Sequence, residues 1–323
     1  MNEVTTRLDD AGIQFIHTRN EGAAIFAAGA EAQLTGEITV CAGSAGPGSL
    51  HLVNGVHEAS RMNAPMLVFA THIPSTEIGG KYFQESDLKS VFKDSTCFCE
   101  MILSAEQMPR ILNIAIQTAI AKKGVAVLIF SGDVTQQVAP HQMQKQHIPK
   151  YFNPVITPSE TELSSIAKLL NDSKKIALFC GYGCKEAHDQ VVKLAEKLKS
   201  PVIHALRGKE FVEYDNPYDI GMTGFLGAPS GYLAIKECDT LLLLGTGFPY
   251  RQFYPEHAKI IQIDIDGENI GRRVGVDIGA VGDIKPTIEL LLPKLQEKTE
   301  RDFLDAALKH YKKSRQNFDK LAT

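Results

Sequence analysis

The sequence predicts an α/β protein built from two open, mainly parallel, doubly wound sheets. Three observations lead there. Short β-branched runs alternate with helical stretches in both halves, a proline- and glutamine-rich segment without period lies between the halves, and strands ending in glycine concentrate in the second half. At 323 residues the chain suits two domains, each large enough to bury its own interior.

The first domain spans residues 1–138. ITVCA at 38–42, MLVFA at 66–70 and VAVLIF at 125–130 are apolar runs of the kind buried on both faces of a parallel sheet. Between them, residues 21–34 are rich in Ala, residues 49–62 read as a second helix, and 105–122 repeat apolar residues at helical spacing through Met108, Ile111, Leu112, Ala115, Ile116 and Ala119. Residues 139–158 read as a linker, within a stretch from Gln136 to Pro158 that holds four prolines and five glutamines. Alternation resumes in a second domain, 159–295, with a helix at 159–170, strands at 175–180 and around 201–205, a helix between them ending at Lys199, and strands at 239–245 and 259–265. Residues 296–323 form a charged amphipathic helix carrying Phe303, Leu304, Leu308 and Tyr311 on one side, a segment that packs on its own domain or connects onward.

Composition narrows the function. The 34 basic and 38 acidic side chains nearly balance, which gives no electrostatic footprint for nucleic acid. The N-terminus lacks the basic and apolar regions of a signal peptide and no run of 18 apolar residues occurs, so the expected location is cytoplasmic. Cys41, Cys97, Cys99, Cys180, Cys184 and Cys238 sit mostly within apolar runs, as reduced buried thiols do. Neither Cys97 with Cys99 nor Cys180 with Cys184 has the paired spacing and nearby His of a zinc site, so no metal ligands are assigned.

The second half carries the chemistry. CGYGC at 180–184, GMTGFLG at 221–227 and LLGTGFPY at 243–250 each put glycine where a strand ends. In an open α/β sheet, ligands lie beyond those carboxyl ends, and glycine lets backbone amides approach a pyrophosphate. Asp264, at the end of IIQIDI, is placed to accept from a ribose hydroxyl. Any one loop could be ordinary turn punctuation. Three loops with an acid point to a dinucleotide cradle.

The strings HALRGKEFVEYDNPYDIGMTGFLG, LLLLGTGFPYRQFYPEHAKIIQIDID and VGDIK resemble the FAD-binding central domain of bacterial quinone-dependent pyruvate dehydrogenases, also called pyruvate oxidases. The resemblance implies that Thr223, Gly224, Phe225 and Leu226 contact the flavin nucleotide and that Thr246, Gly247, Phe248, Pro249 and Tyr250 form a second wall. It further implies that Asp264 meets the adenosine ribose, with Asp283 near the adenine.

The first domain carries the same resemblance in TRNEGAAIFAAGAEAQLTGE, CAGSAGPGSLHLVNG and HIPSTEIGGKYFQE, and is similar to the pyrimidine-side domain of thiamine-diphosphate enzymes. Glu21 matches the glutamate that, in that family, bonds the aminopyrimidine and lets the cofactor deprotonate its own C2. A carboxyl in an apolar pocket suits the role, because desolvation favours its neutral form. The loop Gly46, Pro47, Gly48 would close around the cofactor and Phe83 with Gln84 would flank the substrate-derived adduct. His51 and Asn54 read as helix packing and capping. Asn20 stands where relatives often carry His, a change expected to tune the site.

The family's opening strand and its Mg²⁺-anchoring Gly-Asp-Gly domain have no match here. Gly132-Asp133 and Gly282-Asp283 are not followed by Gly. The resemblance therefore implies part of a thiamine-diphosphate (with Mg²⁺) and FAD enzyme that oxidises pyruvate to acetate and CO₂ with electrons passed to a quinone. On this reading the chain alone is inactive, pairs as a homo-oligomer or with a complementing chain, and lacks the family's membrane-associating segment. A flavin-binding remnant and an acetolactate synthase or decarboxylase relative are the alternatives.

Overall fold

The computed structural model describes residues 2–138 and 154–321. The chain divides into two units, Met1–Tyr151 and Phe152–Thr323, each with its own sheet. Most of the expected linker, residues 139–153, lies outside the described residues.

In the first unit four strands, β1 (Thr39–Gly43), β2 (Met66–His72), β3 (Phe98–Ile102) and β4 (Val125–Ser131), pair in parallel in the order β1-β2-β4-β3. Its helices are α1 (Asn2–Thr5), α2 (Glu21–Thr35), α3 (Pro47–His51), α4 (Val53–Arg61), α5 (Leu88–Lys93) and α6 (Met108–Lys122). Every residue of β4 is buried, as its unbroken apolar run requires. The expected helix at 49–62 is two helices that meet at Leu52. The sequence reading missed β3, because FCEMI places a glutamate and two sulfur side chains in a strand that is half-covered rather than wholly apolar.

The start of α2 has a local cause. Asn20 is extended, and its Oδ1 accepts the Gly22 N–H at 2.8 Å, which satisfies one orphan donor of the first turn. The helix stops at Gly36, whose left-handed φ of 75° lets its N–H return to the Ala32 carbonyl.

In the second unit six strands run parallel: β5 (Ile176–Cys180), β6 (Val202–His204), β7 (Asp219–Met222), β8 (Thr240–Leu244), β9 (Lys259–Asp264) and β10 (Ile278–Val281). Their order is β10-β9-β8-β5-β6-β7, so the chain winds outward one way from β5 and then the other way from β8. The point of reversal lies between β5 and β8, where a crevice opens beyond the carboxyl ends. Helices α7 (Glu160–Asp172), α8 (His188–Leu198), α9 (Lys209–Val212), α10 (Pro229–Glu237), α11 (Ile284–Leu291) and α12 (Asp302–Leu321) complete the unit. A capping box of Ser159 with Glu162 opens α7.

The C-terminal helix begins at Asp302, six residues later than the sequence suggests, and it packs on its own unit. Leu304 and Ala307 are buried, and Phe303, Leu308 and Tyr311 lie against the core formed by Phe179, Ile203, Ile220 and Phe248. The stripe read from the sequence is the contact face. Among the described residues, no helix is long and apolar enough to cross a membrane.

Candidate functional site

Two constellations form, one in each unit. In the first, three segments converge at the carboxyl ends of β1 and β2. Glu21 opens α2, the turn through Gly46, Pro47 and Gly48 follows β1, and Gln84 lies in the loop after β2. Ser49, wholly buried, pins the turn by donating to the Ser44 and Thr71 carbonyls at 2.9 and 3.1 Å. Gln84 donates to the Ala45 carbonyl at 3.3 Å, and its backbone packs on Gly46. A Cβ on Gly48 would lie 2.9 Å from Glu21 Oε1 and 2.5 Å from Ser44 Oγ, so a side chain there would displace both groups. The turn thus lies close against the carboxylate.

Glu21 differs from its expected environment. It is not in an apolar pocket: its side chain is one-third exposed, and Oε2 lies 3.1 Å from His51 Nδ1. Its own backbone N–H and the His51 imidazole hold its pKa below the ordinary glutamate value, outweighing burial. His51 is therefore a partner of the carboxylate rather than only a packing residue. Sequence spacing could not show this, because the pair spans 30 positions. Asn20 is the helix cap described above. Phe83 is 84% exposed and touches only the neighbouring Tyr82 ring, at 5.6 Å, among the described ring contacts.

In the second unit the loops after β5 and β8 are joined at the crevice, where the Gly181 N–H donates to the Leu244 carbonyl and the Gly183 N–H to the Gly245 carbonyl. The loop after β7 is closed on itself by Gly227 N–H to Gly224 O at 3.0 Å and Ala228 N–H to Met222 O at 2.8 Å. Thr223 N–H ties it to the His204 carbonyl. Although β5 and β6 separate β7 from β8, the two loops meet: the Phe225 and Tyr250 rings are 4.5 Å apart, edge to face. Phe248 is buried behind them against Phe179, and Tyr254 Oη donates to the Phe248 carbonyl at 2.8 Å. Phe253, not singled out from the sequence, lies 5.6 Å from Phe225 and 5.7 Å from Phe248. Such edge-to-face pairs contribute about 0.5–1.5 kcal/mol each beyond burial.

The result is a supported aromatic face whose front is open. Phe225 and Leu226 are 68% and 83% exposed, Gly247 and Pro249 are exposed, and Thr246 is buried at the start of the segment. Thr223 is 3% exposed and its Oγ1 has no hydrogen-bond partner. Asp264 is buried at the end of β9, where its Oδ1 accepts from Asp266 N–H and Asn269 Nδ2. Burial raises its pKa against these donors and the Ile265 N–H. Asp283, by contrast, spends its carboxylate on the Ile156 N–H at 2.8 Å. Asp133 spends its own on Ser75, through N–H and Oγ. Among the described residues, no group of three or more His, Cys, Asp or Glu could hold a metal ion.

Residues 1–91 match the family description "Thiamine pyrophosphate enzyme, N-terminal TPP binding domain" and residues 163–291 match "Thiamine pyrophosphate enzyme, central domain". The chain belongs to the thiamine pyrophosphate enzyme family. It is 52% identical over 322 residues to an uncharacterized 42.6 kDa protein from Pseudomonas amyloderamosa, covering 99% of this chain and 81% of that one. It is 32% identical over 302 residues to a probable acetolactate synthase large subunit from Methanocaldococcus jannaschii, covering 89% and 51%. It is 27% identical over 304 residues to a pyruvate oxidase from Lactiplantibacillus plantarum, covering 93% and 50%. The chain thus spans about half the length of these last two relatives.

Proposed function

We propose that this chain supplies the pyrimidine side of a thiamine-diphosphate site and a complete FAD site to an enzyme that oxidises pyruvate to acetate and CO₂ and passes the electrons to a quinone. The observation that carries the flavin reading is the meeting of the loops after β7 and β8 in an open aromatic face. It sits beside a buried hydroxyl, Thr223 Oγ1, that has no partner in the protein. A flavin nucleotide offers the planar ring and the acceptor groups that those residues lack. Asp264, at the end of β9, would accept a ribose hydroxyl there.

On the thiamine side, Glu21 and the Gly46, Pro47, Gly48 turn fit the pyrimidine, while no described residue cluster suits the diphosphate's Mg²⁺. When bound, thiamine diphosphate would supply a nucleophilic carbanion and an electron sink for the loss of CO₂ from a 2-oxo acid, and FAD would supply an acceptor for the electron pair that this loss leaves behind. This chain's part is to orient. Glu21 would share a proton with the pyrimidine, Gln84 borders the turn, and the aromatic loops would shield one face of the flavin ring. Partnership with a second copy or a complementing chain would complete the thiamine site.

The test is a flavin spectrum of the purified chain, followed by thiamine-diphosphate titration and pyruvate-dependent dye reduction with a candidate complementing chain. Yellow protein supports the flavin site, and a colourless preparation that takes up no FAD sinks it. The acetolactate synthase relative motivates a second reading, in which two pyruvates condense. Acetolactate formed without dye reduction would favour that reading.

A further inference from the structure

The C-terminal helix reaches the candidate flavin loop through one side chain. Tyr311 of α12 lies on Gly221, the residue of β7 two positions before Thr223; a Cβ on Gly221 would stand 2.6 Å from Tyr311 Cε2. Gly221 also has a φ of +87°, a backbone state that side-chain-bearing residues rarely adopt. Its N–H donates to Asp219 Oδ2 at 3.1 Å, and the Tyr311 hydroxyl lies near the same carboxyl group. Gly221 is therefore clamped on two sides by the ring above and the carboxyl beside it.

Below the clamp lies a cluster of buried polar groups. Asp219 Oδ1 faces the wholly buried His204 at 3.5 Å, and His204 Nε2 lies 3.2 Å from Glu213 Oε2, which pairs with Lys209. The His204 carbonyl is the acceptor that ties down Thr223 N–H. Ser230 Oγ donates to the Ile220 carbonyl at 2.7 Å, fixing the start of α10, against which α12 packs. Between Asp219 and Thr223, Gly221 is the residue with a positive φ, and the Tyr311 ring packs on it.

We propose that Tyr311 is a positioning residue for the loop at 222–227, so that docking of α12 and the geometry of the aromatic face are a single equilibrium. The ligand half of this idea rests on the flavin reading above; the protein half does not. With the ring absent, Gly221 can leave its positive φ, and the Thr223 hydroxyl and Phe225 ring lose their fixed aim. Linkage then works both ways: a ligand that needs the ordered loop must also hold the helix down.

Hydrogen exchange on the full chain tests it, comparing wild type, Tyr311→Phe and Tyr311→Ala with and without FAD. In the apo protein, Tyr311→Ala should raise exchange at 222–227 as well as in α12, whereas Tyr311→Phe, which keeps the ring, should leave the loop protected. FAD binding should weaken about tenfold in Tyr311→Ala, and FAD should slow exchange in α12 of the wild type. If Tyr311→Ala loosens α12 while the loop keeps its protection, the proposal fails. If that variant does not fold, wild-type α12 unprotected by saturating FAD overturns it equally. If no FAD binds at all, the flavin reading fails and the apo exchange comparison still decides the coupling.

Discussion

The Glu21 carboxylate lies 3.1 Å from His51 Nδ1, joining the first turn of one helix to the last residue of another across the turn that carries Gly46 and Gly48. This pair pulls the carboxyl toward its charged form, whereas assisting a pyrimidine nitrogen calls for a carboxyl that holds its proton readily. Binding of the pyrimidine would therefore compete with His51 for the same oxygen.

Replacing His51 by Gln removes the second-largest cause of the lowered Glu21 pKa, after the backbone N–H. The Glu21 pKa should rise toward the ordinary value, read from the carboxyl carbon resonance across an acid titration. An unchanged midpoint would show that the pair does not hold in solution.

Asn20→Ala removes the acceptor for Gly22 N–H. The cost should be about 1 kcal/mol, localised to the first unit. Faster amide exchange in the first turn of α2, with the second unit unaffected, is the expected signature. Full retention of protection there would mean that water or another group caps the helix equally well.

Thr223→Val separates structure from binding. The buried Oγ1 has no partner, so its removal should leave the chain as stable or up to about 1 kcal/mol more stable by thermal denaturation. If that hydroxyl serves a flavin, FAD affinity in the same variant should fall about fivefold to tenfold. A stabilised variant with unaltered affinity would remove Thr223 from the site.

Asp219 gives a pH dependence with a definite sign. Burial pushes its pKa up to about 7 from the ordinary 3.8, so the folded chain holds a proton there that the unfolded chain has lost. The associated stability is complete below about pH 4 and is lost as pH rises through about 7. Burial lowers His204 from its ordinary 6.5, and its contribution runs oppositely, present above that value and lost as pH falls. Asp219→Asn should flatten the decline in melting temperature between about pH 4 and 7. Identical wild-type and variant profiles would exclude Asp219 as the titrating group.

Local pattern was enough for much of this protein. The long apolar runs of β2, β4, β5, β8 and β9 announced buried parallel strands, and the stripe from Phe303 to Tyr311 announced a helix with one covered face, because burial of apolar area is written in the period of the sequence. The glycine-ended loops and Asp264 could be named for the same reason, since strand ends and turns are local events. Short or half-covered elements such as β3, β7 and β10 were not legible, as four or five residues of mixed or partial burial show neither a long apolar run nor a clear period. Nor were the relations that join distant positions: His51 on Glu21, Phe253 behind Phe225, Tyr311 on Gly221. The loops expected to form a dinucleotide cradle in the second half include those at the reversal point between β5 and β8. Which side chains face that crevice, and which carboxylates are already spent on backbone amides, was decided by strand order and packing, since hydrogen bonds and ring contacts between separate loops exist only once the sheet has brought those loops to one edge.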